Sequence, residues 1–397
     1  MEYPRIRHKP TEGTIRMKTI KTDGLDILCW CENPEEGALK QARNIARFPG
    51  AFHHVALMPD THQGYGMPIG GVLAVKGRVI PNAVGVDIGC GMCAVRSSLK
   101  EISQENLKKI LGLIRERIPV GFNKHAAPQD PRLMPAQPPG EICKREYSNA
   151  SRSLGTAGGG NHFIECQYGS DGYLWVMLHS GSRNLGKQVA DRYNKIAEDY
   201  CRHSDPALIE QELAYLPEDE QARYLYEMKY CVDFALASRK LMLDRIQEIF
   251  LEVLGSVEFL GMINIAHNYA ALECHYGEMV WVHRKGATSA RSGEIGIIPG
   301  SQGTSSYIVR GKGNPLSLQS CSHGAGRKMG RKQAERTLNL EEEIKKLDDQ
   351  GILHAIRGKQ DLDEASGAYK DIAIVMEEQK DLVEILVELK PLAVIKG

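Results

Sequence analysis

The segment Gly85-Val86-Asp87-Ile88-Gly89-Cys90-Gly91-Met92 constrains this chain more than any other. It sets a carboxylate and a thiol three residues apart in a turn almost free of side-chain bulk. Glycine on both sides lets the backbone fold tightly, so Asp87 and Cys90 can address one centre. A hard oxygen and a soft sulfur on one centre suit a divalent transition metal such as manganese, zinc, cobalt or iron. Alone the spacing says little, because Cys is often buried and Asp often caps turns. Its weight comes from four His-bearing, Gly-rich segments further along the chain.

Composition bounds the setting of that turn. At 397 residues the chain can bury a large core, in one big domain or two. Lys plus Arg equals Asp plus Glu, 50 against 50, so no global field attracts polyanions and any nucleic-acid surface must be a local basic patch. The ten cysteines are scattered and lack the density of a disulfide framework. Met1 to Arg16 is polar with no apolar core of a signal peptide, and no apolar run is long enough to span a membrane. A reducing cytoplasm is the expected location, and it keeps Cys90 available as a thiolate.

Ile15 to Ile27 and His53 to Arg96 read as short apolar strands cut by Gly and Pro. Residues 101–118 pattern as an amphipathic helix on Leu107, Ile110, Leu111 and Ile114. Ala126 to Gly140 is Pro-rich and reads as an irregular loop, and Leu174 to Leu178 as a buried strand running into His179. A long helix is expected from Pro217 to Leu254, opened by proline and acids and striped by Leu225, Met228, Val232, Ala235, Met242, Ile246 and Ile249. That stripe is core packing rather than a cofactor box. Strands return at Glu278–Val282 and Ser306–Val309, and a last helix is expected over Ile372–Leu389. With no internal repeat or flexible linker, residues 1–397 are expected to form one domain of α+β class, since strands group around helices without regular alternation.

The chemistry-bearing segments follow in order. Gly158-Gly159-Gly160-Asn161-His162 offers backbone amides to an anion and a His directly after them. His179-Ser180-Gly181-Ser182-Arg183 places a His at a strand end, with small donors and a guanidinium that suits phosphate. His267 stands beside Asn268. Gly300-Ser301-Gln302-Gly303-Thr304-Ser305-Ser306 is a run of small donors without the Gly-Lys-Ser/Thr ending of a Walker loop. His323 lies in Ser320-Cys321-Ser322-His323-Gly324-Ala325-Gly326-Arg327, among residues too small to crowd it. Each segment alone has a plainer reading as a tight turn, a salt-bridged Arg or a packed core His. Together, Asp87, Cys90, His162, His179 and His267 are ligands enough for two metal ions, and His323 is left over. A dinuclear site beside phosphate-friendly loops suggests phosphoryl or nucleotidyl transfer, with the spare His as acid, base or nucleophile.

These residues resemble the RtcB family of RNA ligases. The motifs GVDIGCGM, GNHFIE, LHSGSR, HNY, RKGA, IIPGS, SYIVRG, SHGAGR and AYKDI, with a terminal Lys-Gly, spread over most of the chain. The resemblance implies a fold of β-sheets lining a central metal and nucleotide cleft with helices outside. It implies joining of RNA 3′-phosphate or 2′,3′-cyclic phosphate ends to 5′-hydroxyl ends, using GTP and two Mn²⁺ ions, in tRNA splicing or RNA repair. By motif, Asp87, Cys90 and His162 would hold one manganese, and Cys90, His179 and His267 the other. His323 would carry GMP, with Asp60 of Pro59-Asp60-Thr61-His62 as an orienter of its ring. Nucleotide contacts are implied for Asn161, His162, Phe163, Ile164, Glu165, His267, Asn268, Pro299, Gly300, Ser301, Gln302, Ser306, His323, Gly324, Ala325, Gly326 and Lys396. RNA phosphates are assigned to Arg183 and Arg327, and an archease-like activator is an implied partner. Two departures from the family pattern bear on substrate preference: Gln302 where Met is usual, and Ala157-Gly158-Gly159-Gly160 for Leu-Gly-Thr/Ser-Gly. Two other classes leave different traces. A metal-dependent cyclic phosphodiesterase or phosphatase on RNA ends would release phosphate without GTP, and a non-catalytic RNA-end binder would not need Cys90 or His323.

Overall fold

The computed structural model describes residues 17–397. The polar segment Met1–Arg16, and with it the Ile15 start of the first strand-like stretch, lies outside the described residues. The strands, in chain order, begin with β1 (Lys18–Ile20), β2 (Asp26–Cys29), β3 (Ala51–Tyr65), β4 (Met67–Val75) and β5 (Gly91–Ser97). Then come β6 (Phe163–Gly169), β7 (Leu174–Ser180), β8 (Phe259–Ala266), β9 (Asn268–His275) and β10 (Glu278–Lys285). The last are β11 (Ala287–Ser289), β12 (Ile295–Ile298), β13 (Ser306–Gly311), β14 (Ser320–Ser322) and β15 (Val383–Lys396). A six-stranded sheet runs in the order β1-β2-β3-β4-β10-β9, antiparallel except for β2 on β3. A seven-stranded antiparallel sheet runs β12-β13-β15-β6-β7-β5-β8. Its outer strands β12 and β8 curl into contact, so it nearly closes as a barrel. With the helices packed outside, the class is α+β, as the sequence indicates.

Alternation builds the barrel core. On β5, Met92 and Ala94 point inward, where they meet Trp175 and Met177 of β7 and Ile308 of β13. The intervening Cys93 and Val95, with Val176 and Leu178 of β7, point outward. There they pack on the long helix Glu218–Leu254 through Met242, Ile246 and Ile249, and on the helix Gln104–Arg117 through Leu107, Ile110, Leu111 and Ile114. Each such burial contributes about 1.5–3 kcal/mol. Both faces of β7 are covered, which is why Leu174 to Leu178 reads as an unbroken apolar run.

The antiparallel order also gathers the motifs. His162 precedes the start of β6, His179 sits at the end of β7, Cys90 precedes the start of β5, and His267 follows the end of β8. In register, Phe163 faces His179, while Gly91 faces both Ser180 and Ala266. Four strand ends therefore meet at one end of the barrel, and Lys396 joins the row opposite Phe163.

Several expectations change. The helix expected over Ile372–Leu389 ends at Glu378, and from Val383 on the span belongs to β15. Strands β3 and β4 are longer than the short pieces read from the sequence, and Pro81–Val84 between them and β5 is a helical turn. The Pro-rich loop holds one short helical turn, Pro131–Leu133. Among the described residues, no helix is long and apolar enough to cross a membrane.

Candidate metal centre and adjoining cleft

At the meeting of the strand ends, the Cys90 Sγ lies 3.1 Å from His179 Nε2 and 3.5 Å from His162 Nε2. Asp87 Oδ2 is 3.7 Å from His162 Nε2. Two triads result, Asp87–Cys90–His162 and Cys90–His179–His267, each with its donor atoms within 4.8 Å of one another and with Cys90 in both. The turn is closed by the Cys90 N–H donating to Asp87 O at 3.1 Å. Gly89, at φ +78°, presses this turn on the long helix, where a Cβ would come within 2.9 Å of the Val232 Cα. Gly181 leaves the space that the Asp87 carboxylate occupies.

The protonation states fit a metal. His179 donates Nδ1–H to Asn161 O at 2.9 Å, which turns its Nε2 lone pair toward Cys90. Burial, with His162 beside it, holds His179 down to about 3. Burial likewise puts His267 well below its ordinary value, so both rings are neutral donors at pH 7. Burial, reinforced by Asp87, pushes the Cys90 thiol well above its usual range. A thiolate there needs a cation bound to it. The Nδ1 atoms of His162 and His267 are buried without a hydrogen-bond partner among the described residues. A mixed N, S, O donor set of this kind suits a divalent transition metal.

One residue that sequence reasoning missed holds the three segments together. Arg239 of the long helix is fully buried. Its guanidinium donates to Gly89 O at 2.9 Å, Ser180 O at 2.7 Å, Ile265 O at 3.2 Å and Asn264 Oδ1 at 2.8 Å. Those acceptors neighbour Cys90, His179 and His267 in sequence. The available signal was a charge on an apolar stripe, four residues after Ala235 and three before Met242.

His323 follows β14, and its ring centroid is 4.9 Å from that of His267. Asp60 of β3 is wholly buried. Its Oδ2 accepts from His323 Nδ1 at 2.6 Å, from the His323 N–H at 3.0 Å and from the Gly324 N–H at 3.3 Å. Burial, the largest influence, favours a neutral Asp60, but His323, His62 and Lys370 together hold the carboxyl below its ordinary value. With Nδ1 committed, Nε2 is the nitrogen His323 has free. Lys370 of the Ala368-Tyr369-Lys370-Asp371-Ile372 motif clasps the carbonyls flanking Asp60, Pro59 O at 3.1 Å and Thr61 O at 2.6 Å.

A cleft of about 680 Å³ opens beside His323. Asn161, Phe163 and Glu165 line it, as do Pro299 to Gln302, His323 to Gly326, and Lys396. Glu165 is buried there, with Gln167 donating to it and no cation in contact among the described residues, and burial raises it well above the carboxylate range. Ile164, Asn268 and Ser306 do not line the cleft. Ile164 points into the core between β6 and the helices. Asn268 is engaged at both amide atoms, by Asp87 O at 3.0 Å and the Gly286 N–H at 2.7 Å. Ser306 is buried beneath the cleft floor, accepting from the Gly300 N–H at 3.1 Å. Gln302 lines the cleft with its amide donated to Glu364 O at 3.0 Å.

The two arginines assigned to RNA are both half-buried and engaged by protein partners. Arg183 donates to Thr156 Oγ1 at 2.9 Å and Gly121 O at 2.6 Å. Arg327 lines the cleft but pairs with Glu364 Oε2 at 2.8 Å. Arg331, which the sequence reading passed over, is half-exposed at the rim, 2.7 Å from Glu364 Oε1. Its signal was the basic run Arg327-Lys328-Met329-Gly330-Arg331-Lys332 directly after the His323 motif.

Fold and site together define a class: an α+β barrel-like protein with a candidate metal centre of two triads that share Cys90, and an acid-gripped histidine at a cleft. The family model described as tRNA-splicing ligase RtcB matches residues 41–136 and 129–397. The chain is 36% identical to the RNA-splicing ligase RtcB of Escherichia coli K12, over 95% of this chain and 99% of that protein. It is 30% identical to the tRNA-splicing ligase RtcB of Thermococcus kodakarensis, over 91% of this chain and 92% of that one. To the RNA-splicing ligase RtcB homolog 1 of Entamoeba dispar it is 30% identical, over 92% of this chain and 83% of the other. The chain belongs to the RtcB family.

Proposed function

We propose that this protein is an RNA ligase acting in tRNA splicing or RNA repair, and that it joins 3′-phosphate or 2′,3′-cyclic phosphate ends to 5′-hydroxyl ends through a histidine–GMP intermediate, using GTP. The observation that carries the reading is the Asp60–His323 pair, hydrogen-bonded at 2.6 Å, with the His323 ring against His267 of the metal centre. An imidazole held at Nδ1 by a buried carboxylate presents Nε2 as a nucleophile, and Asp60 stabilises the charge that the ring acquires.

His323 Nε2 attacks the α-phosphorus of GTP, forming a P–N bond and releasing pyrophosphate. His323 then hands GMP to the RNA 3′-phosphate, and the 5′-hydroxyl displaces it to seal the strand. A cyclic phosphate is first opened by hydrolysis. Glu165 suits the base: burial keeps it a neutral acid, and the two N–H donors of a guanine edge would stabilise its ionised form on binding. Asp87, Cys90 and His162 would hold one manganese, and Cys90, His179 and His267 a second, with the thiolate shared. Bound there, the ions supply charge neutralisation at the attacking and leaving oxygens. RNA ends are the proposed partner, with an archease-like protein as activator.

The test is incubation with Mn²⁺ and α-labelled GTP. The reading expects a covalent protein–GMP adduct, stable to alkali and labile to acid, mapping to His323. No adduct, or an adduct surviving in His323→Ala, refutes it.

A further inference from the structure

The cleft holds an imidazole that the proposed chemistry leaves unused. Three histidines line it: His62, His179 and His323. His179 belongs to a metal triad, and His323 is the proposed nucleophile. His62 sits two residues after Asp60, in the same stretch of β3 that Lys370 clasps through Pro59 O and Thr61 O. Its Nδ1 is 2.9 Å from the Asp60 carbonyl. A carbonyl only accepts, so Nδ1 carries the hydrogen and Nε2 carries a lone pair. That Nε2 has no hydrogen-bond partner among the described residues. Asp60 thus anchors two imidazoles, one through its carboxylate and one through its backbone, and leaves each with one free nitrogen at the same cleft.

We propose that His62 is the catalytic base of strand sealing, its Nε2 taking the proton of the incoming RNA 5′-hydroxyl. This rests on the ligase reading above. As the 5′-oxygen bonds to the 3′-phosphorus, the bond from that phosphorus to the oxygen bridging to GMP breaks. GMP leaves with the electron pair, and the hydroxyl proton moves to His62, which returns it to solvent before the next turnover. Burial in the cleft wall holds His62 down to about 4, so the ring is unprotonated before the step. Fixing Nδ1 to backbone and clasping that backbone with Lys370 aims the lone pair without help from substrate.

The experiment isolates sealing from guanylation. Wild type, His62→Gln and His62→Ala are given RNA already activated as the 3′-diphosphate guanosine, with a 5′-hydroxyl partner, under single-turnover conditions. In parallel, adduct formation on His323 is followed with α-labelled GTP. General-base loss typically costs about 10²–10⁴-fold. Expected are near-normal adduct formation, sealing slowed within that range, accumulation of activated RNA, and partial rescue of His62→Ala by added imidazole. Sealing at the wild-type rate in both variants overturns the proposal, as does a loss of guanylation equal to the loss of sealing, which would make His62 only a support for Asp60. Absence of any adduct in wild type instead refutes the underlying ligase reading, so the two failures are told apart.

Discussion

Asp60→Asn should slow guanylation of His323 without disturbing the metal centre. The substitution keeps the shape and removes the charge that faces His323 Nδ1 at 2.6 Å. A hydrogen bond to a charged partner is about twice as strong as a neutral one, a difference of about 1–1.5 kcal/mol. Bond formation at Nε2 places positive charge on the ring, and two unit charges about 4 Å apart interact by about 4 kcal/mol at an effective dielectric near 20. Part of that is recovered by solvent at a ring that is 18% exposed, so about 2–4 kcal/mol of transition-state stabilisation is lost. The rate of adduct formation should therefore fall roughly 30- to 1,000-fold. The asparagine oxygen keeps the three donors that Oδ2 serves, which leaves its NH₂ in the place of Oδ1, a buried atom with no partner among the described residues. That costs about 1–3 kcal/mol of stability, visible in denaturant melts. The assay is rapid-quench measurement of labelled adduct at saturating metal, with metal content measured alongside. Guanylation at the wild-type rate, or metal loss as large as the rate loss, refutes the orienting role of Asp60.

Three further outcomes follow from the same geometry. Arg239→Lys keeps the charge but loses the fork that reaches Gly89, Ser180, Ile265 and Asn264, so cobalt(II) affinity and the cobalt–thiolate absorption should both drop, with stability down by about 3 kcal/mol; unchanged cobalt affinity would contradict the clamp. Because the Cys90 thiol is raised and the buried histidines are lowered, metal binding at pH 6–8 should release one proton from Cys90, and apparent affinity should climb up to about tenfold per pH unit; a flat pH profile by calorimetry argues against a bound thiolate. His54 and His283 are held neutral by burial, each at about 4, while the unfolded chain takes protons below about 6.5. Stability of the metal-free protein should be full above about pH 6.5 and fall toward pH 4 by about 1.4 kcal/mol per pH unit for each ring. His283→Gln should flatten that slope in guanidinium melts at pH 7 and pH 5.

Much of the site was legible because its residues sit at strand ends flanked by glycine, where chemistry-bearing types are conspicuous. Asp87, Cys90, His162, His179 and His267 converge as their motifs suggest, and the long helix starts one residue after Pro217. The C-terminal error has a definite cause. On β15, Val309 pairs with Ile385 and Ile308 with Val387, so Leu386 is an extra residue in a bulge. The buried positions Val383, Leu386, Val387 and Leu389 then take a spacing close to that of a helix face. A contiguous motif does not record alternation: Phe163 and Glu165 face the cleft and Ile164 the core. Arg239 and Lys370 act on backbone carbonyls, and which carbonyls a side chain meets is set by tertiary packing that no local pattern records.

The shared thiolate beside a separate nucleophile is tested most directly by measuring bound manganese and labelled guanylate on the same samples of wild type, Cys90→Ala and His323→Ala. Expected are two ions and label for wild type, loss of both ions and of label for Cys90→Ala, and near-normal metal without label for His323→Ala. Two ions retained in Cys90→Ala, or label retained in His323→Ala, would contradict that arrangement.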